Sequence, residues 1–198
     1  MSKRKSKSSS SASAKKSKLE PIPAYVAFLR AVNVGGRTVK MASIVEYFKA
    51  LGFTNVSSFL ASGNVIFHTS TENIGEIEQS IEKTLLDNVG FDIPVMVRSK
   101  TQLEQILTES SSQMPKGTTT THVMFAKTSL SDEHQAIAEG WTIPSDIFSR
   151  VTNESLFWFS QTTMSKSPCF NKQFEKLLGV ALTLRNINTI RRLLGKMV

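Results

Sequence analysis

Ile93-Pro94-Val95-Met96-Val97 is a compact apolar run with a proline inside it. A run of that length between turn residues reads as a buried strand. Proline cannot donate to a ladder, so the strand belongs at a sheet edge. Reading backwards, Ile74, Ile77, Ile81 and Leu85 mark a helix that stops near Gly90. Before it, Val56–Leu60 and Val65–His68 read as two short strands around Ala61-Ser62-Gly63-Asn64, a hairpin-like turn. Met41, Ile44, Val45, Phe48 and Leu51 form the stripe of an earlier amphipathic helix, with Gly52 at the C-cap place. Tyr25-Val26-Ala27-Phe28-Leu29 is the first strand, led in by Pro21-Ile22-Pro23. The order is βαββαβ, the split-βαβ, ferredoxin-like motif. Its usual strand order, 4-1-3-2, puts the fourth strand at an edge, as Pro94 demands.

Reading forwards, the pattern repeats. His122–Ala126 is a strand, Ser131–Glu139 a short helix, and Ile147–Val151 with Leu156–Ser160 a hairpin around Thr152-Asn153-Glu154. Phe170, Phe174, Leu177 and Leu178 form a helical stripe, and Ala181–Leu184 is a last strand. Each fourth strand leads into a similar helix. Aligning Arg98 with Arg185 sets Leu103, Ile106 and Leu107 in register with Ile190, Leu193 and Leu194. The element order points to an internal duplication, joined near Ser110–Thr121, a Ser/Thr/Gly-rich linker. The fold class is α+β: two tandem ferredoxin-like units, each followed by an extra helix. The divisions are a basic tail over 1–22, a first unit over 23–110 and a second over 111–198.

The chain has 198 residues, ordinary soluble composition and a formal charge of +8. Residues 1–18 carry six Lys, one Arg and no acid, so +7 belongs to the tail and +1 to the rest. The tail lacks apolar residues for a core and reads as disordered. It also lacks the apolar stretch of a secretory signal. Lys3-Arg4 and Lys15-Lys16-Ser17-Lys18, ten residues apart, resemble a two-part nuclear localisation signal. No apolar run is long enough to span a bilayer. A single cysteine, Cys169, rules out an internal disulfide and a cysteine-rich zinc site. The expected compartment is cytoplasmic, or nuclear if the source cell has a nucleus.

Four separated motifs carry a resemblance. They are residues 25–36 (YVAFLRAVNVGG), 60–67 (LASGNVIF), Met164-Ser165-Lys166-Ser167 and residues 183–190 (TLRNINTI). In this order and spacing they resemble the domain of unknown function 1697 family, over about residues 24–195. The resemblance implies the duplicated α+β fold and no activity. The family's usual Leu-Arg-Gly-Ile-Asn is Leu-Arg-Ala-Val-Asn here, and Ile187 stands where the family usually has Trp. If that Trp stacks on a ligand, the contact is lost; if it only packs, Ile can replace it.

The motif residues are Arg30, Asn33, Gly35, Gly36, Lys40, Ser62, Gly63, Asn64, Ser165, Lys166, Arg185, Asn186, Asn188 and Thr189. None is a carboxylate, His or Cys, so they supply no acid–base pair and no metal set. His68, His122 and His134 are scattered and read as strand-end or surface residues; Cys169 reads as a semi-buried, inert thiol. Cations, amides, hydroxyls and glycines are how proteins hold an anion. The segment 33–40 lies between a strand and a helix but matches neither phosphate-loop pattern. Gly35-Gly36 is open to two readings, an anion cradle and a tight turn needing positive φ. Topology places Asn33, Gly35 and Gly36 beside Ser62, Gly63 and Asn64, and Ser165 and Lys166 beside Arg185 and Asn186. Plainer roles stand next to these: Asn186 or Asn188 as a helix cap, Ser165 as another with Lys166 solvated, Arg30 as half of an ion pair, Asn64 serving its turn.

Three functions compete. The leading one is a small binding protein for an anionic, phosphate- or nucleotide-like ligand. The second is nucleic-acid binding through residues 1–18, against which stand the missing aromatic RNA-binding signature and the near-neutral remainder. The third is a group-transfer enzyme clamping its substrate with Lys166 or Arg185. No cofactor, metal or membrane partner is indicated.

Overall fold

The apolar run of the first strand forms β1, Ala24–Leu29, and is buried on both faces. Tyr25, Ala27 and Leu29 face one way, while Val26 and Phe28 face the other, as a two-residue period requires. The computed structural model describes residues 22–33 and 38–197. Gly35 and Gly36 lie outside the described residues, as do the tail and Pro21.

After β1 come α1 (Met41–Ala50), β2 (Thr54–Ser58), β3 (Asn64–His68), α2 (Ile74–Val89), β4 (Val95–Ser99) and α3 (Lys100–Gln113). The four strands form an antiparallel-paired sheet in the order β2-β3-β1-β4. The second half supplies β5 (Thr120–Ala126), α4 (Asp132–Glu139), β6 (Asp146–Thr152), β7 (Ser155–Ser160), α5 (Phe174–Leu178), β8 (Leu182–Asn186) and α6 (Ile187–Leu194). Its sheet has the corresponding order β6-β7-β5-β8. The architecture is α+β, two four-stranded sheets with helices.

The core has three parts. α1 and α2 cover one face of the first sheet through Ile44, Phe48, Ile77, Ile81 and Leu85. α4 and α5 cover the far face of the second, around Trp141, Phe148, Trp158 and Phe174. Between the sheets, Val26, Phe28, Val123 and Phe125 meet residues of α3 and α6, which pack on each other. A strand between two apolar layers must be apolar on both faces, which is why β1 and β5 read as continuous runs.

Several boundaries differ from the sequence reading. Pro94 precedes β4 instead of lying within it, although β4 is an edge strand. β2 starts two residues early and ends at Ser58, because Leu60 takes a positive φ of 61° and cannot continue the ladder. α3 runs through Gln113, its start fixed by a Ser99/Gln102 capping box, so its last turn takes up the beginning of the expected linker. The helical stripe from Phe170 is not one. α5 begins only at Phe174, and Phe170 and Leu177 are exposed. Cys169 therefore lies in a turn, buried, and burial pushes its thiol pKa up.

Candidate functional site

Arg185 sits on β8 opposite Val123, and that register points its side chain into the layer between the sheets. Its guanidinium reaches the first unit. Nε donates to Asn64 Oδ1 (2.6 Å), and Nη2 to the carbonyls of Leu29 (2.9 Å) and Ser62 (2.9 Å). Nη1 donates to Thr183 Oγ1 and the Leu184 carbonyl. Burial lowers its pKa to about 10. A cation desolvated this far is held by the acceptors around it.

Arg98 is the reciprocal. It sits on β4 opposite Val26 and donates to the carbonyls of Ala126 (2.8 Å) and Glu154 (3.2 Å) in the second unit. Each guanidinium also lies over an aromatic ring, Arg185 over Phe28 and Arg98 over Phe125.

A second reciprocal pair follows the strands. Arg30, after β1, forms a two-pronged ion pair with Glu175 of α5, whose Oε1 also accepts the Leu182 N–H. Lys127, after β5, meets Glu82 and Glu78 of α2 at 2.7 Å each. Those carboxylates accept the N–H groups of Val95 and Val97. None of these acids belongs to a motif, so sequence motifs alone could not supply them. The available clue was the i,i+4 spacing of Glu78 and Glu82 beside the apolar Ile77 and Ile81.

The β1 end and the β2–β3 turn do share one end of the sheet. Asn33 Nδ2 donates to the Ala61 carbonyl (3.0 Å), and Asn33 Oδ1 accepts the Val39 N–H (2.9 Å). One side chain thus ties the turn to the segment after residue 37. Asn64 is buried and donates to the Phe59 carbonyl and to Ser62 Oγ. Gly63 has φ +74°, and a Cβ there would lie 2.9 Å from Leu29 Cβ. Lys40 is exposed at the start of α1, which has no side-chain cap.

Among the described residues no hydrogen bond joins Ser165 or Lys166 to Arg185 or Asn186. Ser165 and Lys166 are exposed on a short 3-10 turn. Ser167 anchors that turn by donating to Asp146 Oδ1 (2.8 Å), which also takes the Trp158 indole N–H (2.7 Å). Burial alone would raise the Asp146 pKa, but hydrogen bonds from Trp158, Ser145, Ser167 and Ser160 hold it low. Asn186 caps α6 by accepting the Asn188 N–H. Asn188 accepts from Arg191, and Thr189 is half-buried on the same helix. Ile187 is buried in the inter-sheet layer, a packing position. His134 joins the capping box of α4, and His68 meets the Ile22 carbonyl. His122 is buried instead of exposed, since β5 is central in its sheet.

A family model described as a protein of unknown function, DUF1697, matches residues 22–149. The chain belongs to the DUF1697 family. The match runs from β1 into β6, so it includes the Arg98 contacts with Ala126. The conserved bacterial protein SP0830 from Streptococcus pneumoniae is similar in structure, with TM-score 0.66 and 18% identity over 89% of this chain and 99% of that one. That likeness shows the fold alone. No curated protein matches. Among the described residues of this DUF1697 chain, no cluster of His, Cys, Asp or Glu could hold a metal. No described helix is long and apolar enough to cross a membrane.

Proposed function

We propose that the chain is a small binding protein for an anionic ligand, phosphate- or nucleotide-like, carried on two copies of one ferredoxin-like unit. The ligand sits where the segment after β1 meets the β2–β3 turn. One observation carries this reading. α2, α3, α4 and α6 each begin with a side-chain cap, from Asn73, Ser99, Ser131 and Asn186; α1 and the five-residue α5 do not, and α1 begins with the exposed cation Lys40. First-turn N–H groups without a side-chain cap and the helix dipole favour an anion there, and Lys40 adds a full charge. Asn33 supports the reading by holding this segment against the turn that carries exposed Ser62. The shared strand order of the two sheets, with Arg98 and Arg185 in matching registers, supports the duplicated frame.

The test is thermal unfolding against inorganic phosphate, sulfate and a set of nucleotides. One of them raises the midpoint, and Lys40→Ala weakens that effect by roughly tenfold in ligand concentration without changing the ligand-free midpoint. An unmoved midpoint across the whole set overturns the reading.

A second reading, polyanion binding by residues 1–18, draws on α6. That helix has no acid and exposes Arg191 and Arg192, with exposed Lys196 just beyond it. Ile22 and Pro23, where the described chain starts, line one groove with Lys100 and Met197. On this reading α6 adds its cations to those of residues 1–18. Deleting residues 1–18 then removes most salt-sensitive DNA binding; equal binding by both forms refutes it.

A further inference from the structure

We propose that the outer edge of β8 takes an extended acidic segment of a partner protein as an added strand. The two edge strands, β4 and β8, are treated differently. On β4 the residues whose N–H groups point away from the sheet are Val95, Val97 and Ser99. Each is closed by a side chain at 2.8 Å, from Glu82, Glu78 and Gln102. An edge finished in this way offers nothing to an incoming strand.

β8 has the same register on its central strand: Leu182 pairs with Ala126 as Val95 pairs with Leu29. Its outward N–H groups therefore belong to Leu182, Leu184 and Asn186. Leu182 is closed by Glu175 (2.7 Å). Leu184 and Asn186 N–H have no hydrogen-bond partner among the described residues. The cause is helix length. α2 spans 16 residues and lays two glutamates, one turn apart, along β4. α5 spans five residues, and the position one turn before Glu175 is Asn171, exposed in a turn. At the position matching Gln102, α6 has Thr189, whose side chain is too short to reach back as a cap.

The uncovered edge opens on a groove of about 380 Å³, with Phe174, Leu182 and Leu184 on its walls and Lys172 and Lys176 beside them. Neither lysine has an ion-pair partner among the described residues, and the charge of Glu175 is taken by Arg30. This charge selects the occupant. β8 contains no acid, so two copies pairing through it would bring their lysines together. The chain's own tail carries +7 and is repelled. An extended segment with acids at alternate positions turns all of them to one face, where Lys172 and Lys176 stand beside Leu182 and Leu184, and its other side chains point to the opposite face of the sheet.

The probe is a fluorescein-labelled peptide of about eight residues alternating Glu and Val, titrated into the full chain and followed by anisotropy and amide hydrogen exchange. The free protein shows fast exchange at Leu184 and slow exchange at Val95 and Val97. Bound peptide slows Leu184 exchange by roughly tenfold or more. Lys172→Glu with Lys176→Glu weakens binding by about tenfold or more with unchanged circular dichroism. A peptide with central prolines, which cannot pair, does not bind. The proposal is overturned by absence of binding, by binding that leaves Leu184 exchange unchanged, or by equal binding of the proline peptide. It is also overturned if Leu184 is protected without peptide in a concentration-dependent dimer, since a second copy then holds the edge.

Discussion

The rings of Phe28 and Phe125 stack with centroids 4.3 Å apart and planes 11° from parallel. They come from the central strands of the two sheets, and each is covered by the guanidinium that crosses from the opposite unit. The contact between units is thus an aromatic pair flanked by two buried arginines. Much of the motif chemistry is spent on holding the two sheets together.

Arg185→Ala is therefore expected to lower stability. It leaves the carbonyls of Leu29 and Ser62, and the amide oxygen of the buried Asn64, without their donor. The expected loss is about 2–4 kcal/mol, read from urea unfolding. Arg185→Lys recovers only part of it, because an ammonium cannot reproduce the planar fork. An unfolding midpoint equal to wild type for Arg185→Ala would remove the structural role.

Gly63 and Gly52 both have positive φ but differ in surroundings. A Cβ at Gly52 meets nothing within 4 Å, whereas at Gly63 it strikes Leu29. Gly52→Ala should cost about 1 kcal/mol from the backbone alone. Gly63→Ala adds a clash with Leu29, whose side chain lies in the core under α1 and α2, and should cost roughly 2–4 kcal/mol. Chemical denaturation of the two variants side by side checks the ranking, and equal losses would contradict it.

Glu78 is buried and serves Lys127, Arg98 and the Val97 N–H, while the Arg30–Glu175 pair is about a third exposed. Removing a partner from a buried network costs about 3–5 kcal/mol, whereas exposed pairs contribute at most about 1 kcal/mol. Glu78→Ala should thus destabilise clearly more than Glu175→Ala in thermal unfolding. The reverse order would show that the half-exposed pair dominates.

Acidification should weaken the fold in two stages. Burial lowers the His122 pKa, and its Nδ1 has no hydrogen-bond partner among the described residues. Below about pH 6.5 the unfolded chain takes up a proton that the folded chain refuses, so stability falls as pH drops toward the folded value. Asp146 is also held low, so its contribution is complete above about pH 3.9 and is lost as pH falls through the folded value. His122→Phe should flatten the first stage and leave the second. Denaturation midpoints measured across the acid range provide the check, and an unaltered profile in His122→Phe would exclude His122 as the source.

The sequence by itself determined the element order, the helix stops at Gly52 and Gly90, and the placing of β4 at an edge. Those features depend on side chains a few residues apart, where period, proline and glycine act directly. It also pointed to the family, through motifs of which those at 25–36 and 60–67 lie within the matched residues 22–149. The correspondence of Arg98 with Arg185 was visible in the register of the following helices. What the two arginines do was decided by tertiary structure. A guanidinium with a free anion partner and one satisfied by distant carbonyls have the same letter. Only the packing of the sheets brings Leu29, Ser62 and Asn64 to Arg185 across more than a hundred residues. The same holds for Arg30 with Glu175, and for Asp146 under Ser167 and Trp158. Ion pairs and buried hydrogen bonds form between whatever groups the core brings within reach, and the core is set by apolar area summed over the whole chain. The open edge of β8 belongs to that level too: it exists because α5 is short, and its meaning appears only beside the closed edge of β4.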